Sequence, residues 1–206
     1  MTHPFLRNRC YGDDVQTVTT IARAVAEAYL QMGVLPVVKH MPGHGRSVND
    51  THHDLPTVTT DQATLRQTDF APFRALVDLP MAMTAHIVFS AYDTLPATQS
   101  PAMIKVIRDD IGFNGLLMTD DLNMQALSGT LAERTARSMR AGCDIALHCK
   151  GDLAEMVAVA DAAGAMTDAT RKRAKAALAL RHAPKSVDIA ELEAEFSALL
   201  GEGAHG

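Results

Sequence analysis

The sequence predicts an α/β fold built on a parallel sheet. Three observations carry this. Short continuous apolar runs recur along the chain: "VLPVVK" (34–39), "MAMTAHIVF" (81–89), "GLLMTDD" (115–121) and "DIALHC" (144–149). Their length and composition suit strands buried on both faces. Between them lie stretches with helical periodicity and helix start signals. Polar residues then gather at the C-terminal ends of the runs, where parallel α/β sheets place their chemistry.

Each element follows in order. Asp13 or Asp14 can cap a first helix, along which Val15, Val18, Ile21, Ala22, Val25, Tyr29 and Met32 recur at helical spacing until Gly33. The strand 34–39 carries Pro36 near its start, where a missing N–H is tolerable. A long loop, 40–59, separates it from a helical segment, 60–79, in which Pro72 marks a kink or a second start. After strand 81–89, Ser100 and Pro101 form an N-cap and first-turn pair opening a helix. Strand 115–121 ends in Thr119, Asp120 and Asp121, and a helix within 123–142 leads to strand 144–149. Alanine-rich helices fill 151–182 and 188–200.

Composition narrows the function classes. The 206 residues are 47% hydrophobic, enough for a real core, and the net charge of −5 gives no electrostatic case for nucleic acid. No apolar run has the roughly 18 residues of a membrane span. Nor does the N-terminus have the charged-then-apolar layout of a signal peptide. Cys10, Cys143 and Cys149 make no disulfide framework and fit a reducing compartment. Cys143 and Cys149 read as small buried hydrophobes.

The strand ends hold the candidate site. Lys39 and His40 follow the first strand. His86 lies in the second, Asp120 and Asp121 end the third, and His148 ends the fourth. The segment "VVKHMPGHGRSVNDTHHDLP" (37–56) contains four of the nine histidines. Asp50, His52, His53 and Asp54 are dense enough for a metal, though without a fixed helical ligand spacing and with Lys39 and Arg46 close by. A solvated loop is the plain alternative, against which "PGHG" argues for close backbone approach. In an acid–base reading, Asp50 and His52 form a dyad and Asp120 is a carboxylate nucleophile. Asp121 either caps the next helix or accepts hydrogen bonds beside the site. His86 and His148 either line a pocket or are satisfied core histidines.

"KHMPGHG", followed by Asp50-x-His52 and Pro56, resembles the signature of family 3 glycoside hydrolases of the β-N-acetylglucosaminidase branch. "DFAPFRALVD", "MTAHIVF", "LPATQSP" and "GFNGLLMTDDLNMQAL" are similar to family segments in family order, so the resemblance covers nearly the whole chain and weakens after about residue 165. It implies a (β/α)8 TIM-barrel domain and a cofactor-free, retaining hydrolase that removes β-linked N-acetylglucosamine from muropeptides in the cytoplasm. By motif, Asp120 would be the nucleophile, His52 the general acid and base, and Asp50 its partner. Arg9, Lys39 and His40 would bind the sugar. Gly43 and Gly45 would be hinges of a mobile loop steadied by His44, and no metal is expected. A histidine in that role has a physical rationale, because its ordinary pKa near 6.5 lets it donate and accept near neutral pH.

The same resemblance implies that only the last four βα units are here. A whole barrel takes typically ~250 residues. The expected organisation is therefore a partial barrel over 1–186, then a C-terminal helix and tail over 187–206. An aspartate and an arginine from the family's early loops have no counterpart. A partial barrel would expose strand edges and an apolar inner face, favouring self-association or an inactive fragment. A metal-dependent hydrolase built on the His/Asp loop stays as the other alternative.

Overall fold

The computed structural model describes residues 9–47 and 55–203. Among the described residues six strands, β1 (Val37–Met41), β2 (Thr57–Val58), β3 (Met81–Thr84), β4 (Val88–Phe89), β5 (Leu116–Asp121) and β6 (Ile145–Leu147), form two sheets. The main sheet has the order β1-β3-β5-β6, all parallel. Chain order and spatial order run together without the reversal that marks a doubly wound sheet. That progression is the one a section of a β/α barrel makes. β2 and β4 pair separately.

Helix α1 (Val15–Gln31) is capped by Asp14, whose carboxylate accepts the Thr17 N–H at 2.9 Å. Its packing face differs from the large-residue stripe expected. Ala22, Ala26 and Leu30 meet Leu76 and Leu79, while Ile21 and Tyr29 are exposed. Small residues let the helix lie close, and an Arg23–Asp78 ion pair at 2.6 Å fixes it there. The helix end also displaces the first strand. The Val34 N–H bonds back to the Tyr29 carbonyl at 2.9 Å, and Pro36 has no N–H. Pairing with β3 therefore begins at Val37, not at 34, and runs through to Met41. Lys39 and His40 are strand residues.

The helical segment after the loop divides at Pro72 into α2 (Gln62–Gln67) and α3 (Ala71–Arg74). The strand expected over 81–89 also divides. After β3 the chain turns away, and the Val88 N–H bonds to the Pro56 carbonyl at 2.9 Å, forming the small β2–β4 sheet. Ser100 caps α4 (Pro101–Lys105), accepting the Met103 N–H at 3.0 Å, and the helix continues as a wider π turn through Ile111. Thr130 and Glu133 make a reciprocal capping box at the start of α5 (Leu131–Ala141). The helices α6 (Leu153–Ala163), α7 (Asp168–Leu178) and α8 (Ile189–Gly203) follow.

The core lies between the sheet and its helices, around Leu65, Phe70, Phe89, Met103, Ile107, Phe113 and Leu117. The opposite face of the sheet, expected to be an exposed apolar patch, is mostly covered: Leu116 and Met83 are buried, and Met81 and Met118 are partly buried. Register places Met81 beside Leu116 and Met83 beside Met118, so long side chains shield one another. Among the described residues the most exposed large apolar side chains sit elsewhere, on α6 (Leu153, 74%) and α8 (Ile189, 67%; Phe196, 62%).

Candidate active site

The C-terminal ends of β1 and β5 bring His40 and Asp120 together. The two strands flank β3, so their backbones are about 9.6 Å apart, twice the usual interstrand spacing. Contact requires both side chains to rise over the same face. His40 Nε2 stands 3.4 Å from Asp120 Oδ2, with 14% and 17% of the two side chains exposed.

An irregularity in each strand aims these side chains. Between the pairs Val38–Ala82 and Met41–Thr84, β1 uses three steps where β3 uses two. Between Met118–Ile145 and Asp121–Leu147, β5 uses three steps where β6 uses two. Each is an extra residue in one strand, a device that re-aims a side chain beside a site. The peptide bonds Lys39–His40 and Met41–Pro42 are cis. At the second irregularity the Thr119 hydroxyl accepts the Leu147 N–H at 2.9 Å, supplying the ladder acceptor there.

The carboxylate itself is held on one side. Asp120 Oδ1 accepts the Asp121 N–H at 2.8 Å, leaving Oδ2 toward His40. Burial, more than any other influence, pushes the His40 pKa down to about 4. The Asp120 charge opposes that shift, while His44, Lys39 and Arg9 reinforce it. His40 is therefore a neutral imidazole near pH 7, able to donate one hydrogen bond and accept another. Asp121 does not cap a helix. Its side chain accepts the N–H groups of Asn123 and Cys149, closing an Asx turn that ends β5 and tying it to the chain two residues past β6.

The structure brings several of the expected residues to this place. Lys39 is exposed beside His40, and Arg9, also exposed, is near enough for its charge to act on His40. The His44 ring meets that of His40 edge-on, 5.4 Å between centroids. Gly43 is buried, and a Cβ there would come within 3.2 Å of Asp69 Cβ, so a side chain would crowd this contact. A Cβ added at Gly45 would meet no atom within 4 Å among the described residues. Arg46 anchors the segment through Asp69 at 2.7 Å and Thr68 at 3.1 Å. Asp50, His52, His53 and Asp54 lie outside the described residues. Among the described residues no group of three or more His, Cys, Asp or Glu side chains is arranged to hold a metal ion.

Two other histidines resolve differently. His86 is buried in the break between β3 and β4, bonded at both ring nitrogens. The His148 side chain is 5% exposed, with Nε2 3.5 Å from Glu155. Sequence reasoning missed the roles of Thr119 and Arg46 and the partners of His86. The threonine before the Asp–Asp pair was visible as a residue, but its role comes from a strand irregularity that no single-strand pattern reveals.

Comparison with known proteins bears on this geometry. Residues 2–179 match the glycosyl hydrolase family 3 N-terminal domain. A β-hexosaminidase of Nitrosospira multiformis is 34% identical over 158 residues, covering 74% of this chain and 45% of that protein. One from Vibrio cholerae is 38% identical over 148 residues, covering 69% and 44%. The chain thus spans less than half the length of these curated relatives. A solved family 3 β-N-acetylglucosaminidase from Paenibacillus superposes with a TM-score of 0.78 at 28% identity, covering 91% of this chain and 39% of that one. NagZ from Neisseria gonorrhoeae, solved in complex with N-trifluoroacetyl-D-glucosamine, gives 0.75 at 29% identity, covering 94% and 55%. These neighbours and the parallel sheet agree on part of a TIM-barrel domain, and the domain match over most of its length establishes that the chain belongs to glycosyl hydrolase family 3.

Proposed function

We propose that this chain carries the catalytic centre of a retaining β-N-acetylglucosaminidase, with Asp120 as nucleophile. The observation that supports it most is the pairing of Asp120 with a neutral His40, 3.4 Å apart over one face of a parallel sheet. One carboxylate oxygen is tied by a backbone N–H, and the other faces His40 Nε2. In this reading Asp120 attacks the anomeric carbon as the glycosidic bond breaks. His52, oriented by Asp50, gives its proton to the leaving oxygen. Water then attacks the same carbon, His52 takes the water's proton, and the bond to Asp120 breaks. Two inversions give net retention. Lys39, His40 and Arg9 hold the sugar hydroxyls. His44 steadies the loop carrying His52, and Gly43 and Gly45 serve as its hinges.

The N-acetylglucosamine specificity rests on the relatives, which are named β-hexosaminidases and β-N-acetylglucosaminidases. Muropeptide fragments in the cytoplasm are the proposed substrates, reached without a cofactor. β1 and β6 have no further strand beside them among the described residues. Such edges favour pairing with a second copy, which sedimentation at rising concentration would detect.

The test is turnover of an aryl β-N-acetylglucosaminide by the chain, with the first-formed anomer read by NMR. Retention is expected, and Asp120→Asn should lower kcat by at least about 10³-fold. A chelator should change nothing, whereas chelator-sensitive turnover indifferent to Asp120→Asn would mean a metal-dependent hydrolase. Sugar 1-phosphate formed in phosphate buffer would mean transfer to phosphate in place of water.

A further inference from the structure

His86 is 1% exposed, and Thr84 and Thr98 beside it are fully buried. His86 Nε2 lies 3.1 Å from the Asp121 carbonyl oxygen, and Nδ1 lies 2.7 Å from Thr98 Oγ1. A carbonyl oxygen only accepts, so Nε2 must carry a hydrogen. Burial also holds the imidazole pKa below its ordinary 6.5, so the ring is neutral and Nδ1 carries the lone pair. Thr98 must then donate to Nδ1. Its one proton spent, it accepts from Thr84 Oγ1 at 2.8 Å. The other acceptor in reach of Thr98, the Ala85 carbonyl, is longer at 3.1 Å and would leave Nδ1 without a donor. One direction of hydrogen bonding satisfies every member: Thr84 to Thr98, Thr98 to His86, His86 to the Asp121 carbonyl.

The end of this chain is where the backbone needs it. The extra residue in β5 interrupts the ladder just before Asp121. The Asp121 N–H is the group that holds Asp120 Oδ1. Its carbonyl receives His86 and the Met124 N–H, each at 3.1 Å. Asp121 is thus fixed from both sides, and Asp120 is aimed through it.

We propose that His86 is a positioning residue for Asp120, acting through a buried Thr84–Thr98–His86 hydrogen-bond chain that holds the Asp121 backbone. This rests on Asp120 being the nucleophile. Neither His86 nor either threonine touches substrate in this account. Loss of the chain should therefore lower kcat and spare KM.

The test pairs Thr98→Val, which keeps the volume and deletes the hydroxyl, with Thr98→Ser, which keeps the hydroxyl. Thermal melting establishes the folded fraction of each. Thr98→Val should lose about 10- to 100-fold in kcat, the scale of a small misplacement of a reacting group, with KM within about twofold. Thr98→Ser should recover most of that loss. Unchanged kcat in folded Thr98→Val, or no recovery in Thr98→Ser, overturns the proposal. Ring ¹⁵N NMR of the wild-type chain decides separately from activity. A hydrogen on Nε2 with a bare Nδ1, and backbone shifts of Asp121 and Leu122 that move in Thr98→Val, support the positioning chain. A hydrogen on Nδ1, or unmoved shifts, overturns it. A wild-type chain that has the expected tautomer but no turnover counts against Asp120 as the nucleophile of this chain, and so against the positioning role built on it.

Discussion

Replacing Asp144 with asparagine removes a charge on which four groups converge. The Asp144 side chain is 2% exposed. Oδ2 accepts Arg108 Nη2 at 2.7 Å and the Leu117 N–H at 3.0 Å. Oδ1 accepts Thr170 Oγ1 and Arg173 Nη1, each at 2.9 Å. An asparagine must place an NH₂ where one oxygen was, facing two donors whichever way it turns. Two of the four hydrogen bonds are lost, and Arg108, with only 12% of its side chain exposed, keeps a charge without a counter-charge. Breaking one side of a buried pair costs about 3–5 kcal/mol. At this chain length each kcal/mol moves the melting temperature by about 2–4 °C, so the fall should be roughly 6–20 °C. Scanning calorimetry would read it. Thr170→Val removes one hydrogen bond to the same carboxylate and should cost about 1–2 kcal/mol. Asp168→Asn, whose ion pair with Arg171 has an acid side chain 95% exposed, should leave the melting temperature unchanged. A shift for Asp144→Asn no larger than that of Asp168→Asn would refute the reasoning.

Stability should also carry the signature of His40. Its folded pKa of about 4 lies below the ordinary 6.5, so the unfolded chain binds protons that the folded chain refuses. This group's contribution is complete above about pH 6.5 and is lost as pH falls toward 4, by roughly 3 kcal/mol at most. In urea melts across that range, His40→Gln should flatten the acid limb, and an unchanged limb would contradict the burial described. Gly33→Ala should cost about 1–3 kcal/mol, because φ is +76° and a Cβ would lie 2.1 Å from the His182 carbonyl oxygen. A neutral effect on the urea midpoint would mean that the His182 segment does not rest on the end of α1.

Much of this was legible because local signals and tertiary needs coincide. Asp14 and Gly33 bound α1, Ser100 and Pro101 open α4, and Pro72 starts α3, each through a backbone rule that acts within a few residues. The gathering of His40 and Asp120 at strand ends was also readable, since parallel strands put their C-terminal ends on one side. The rest depends on partners far along the chain. The start of β1 moved because the Val34 N–H was already taken by α1. The run 81–89 broke because β4 found Thr57 and Val58, a two-residue strand too short to leave a pattern. The irregularities that aim His40 and Asp120 exist only as mismatches between two strands. Asp144 reads as an unremarked acid, since its partners lie 26 to 36 positions away.

The central claim is that Asp120 is the nucleophile, and trapping its covalent intermediate tests this most directly. The chain would be incubated with a 5-fluoro N-acetylglucosaminyl fluoride, whose intermediate hydrolyses slowly, and its intact mass and peptide map read. The account predicts the added mass of one fluorinated sugar residue, ester-linked to Asp120 and absent in Asp120→Asn. A label on another residue, or one that persists in Asp120→Asn, would contradict it.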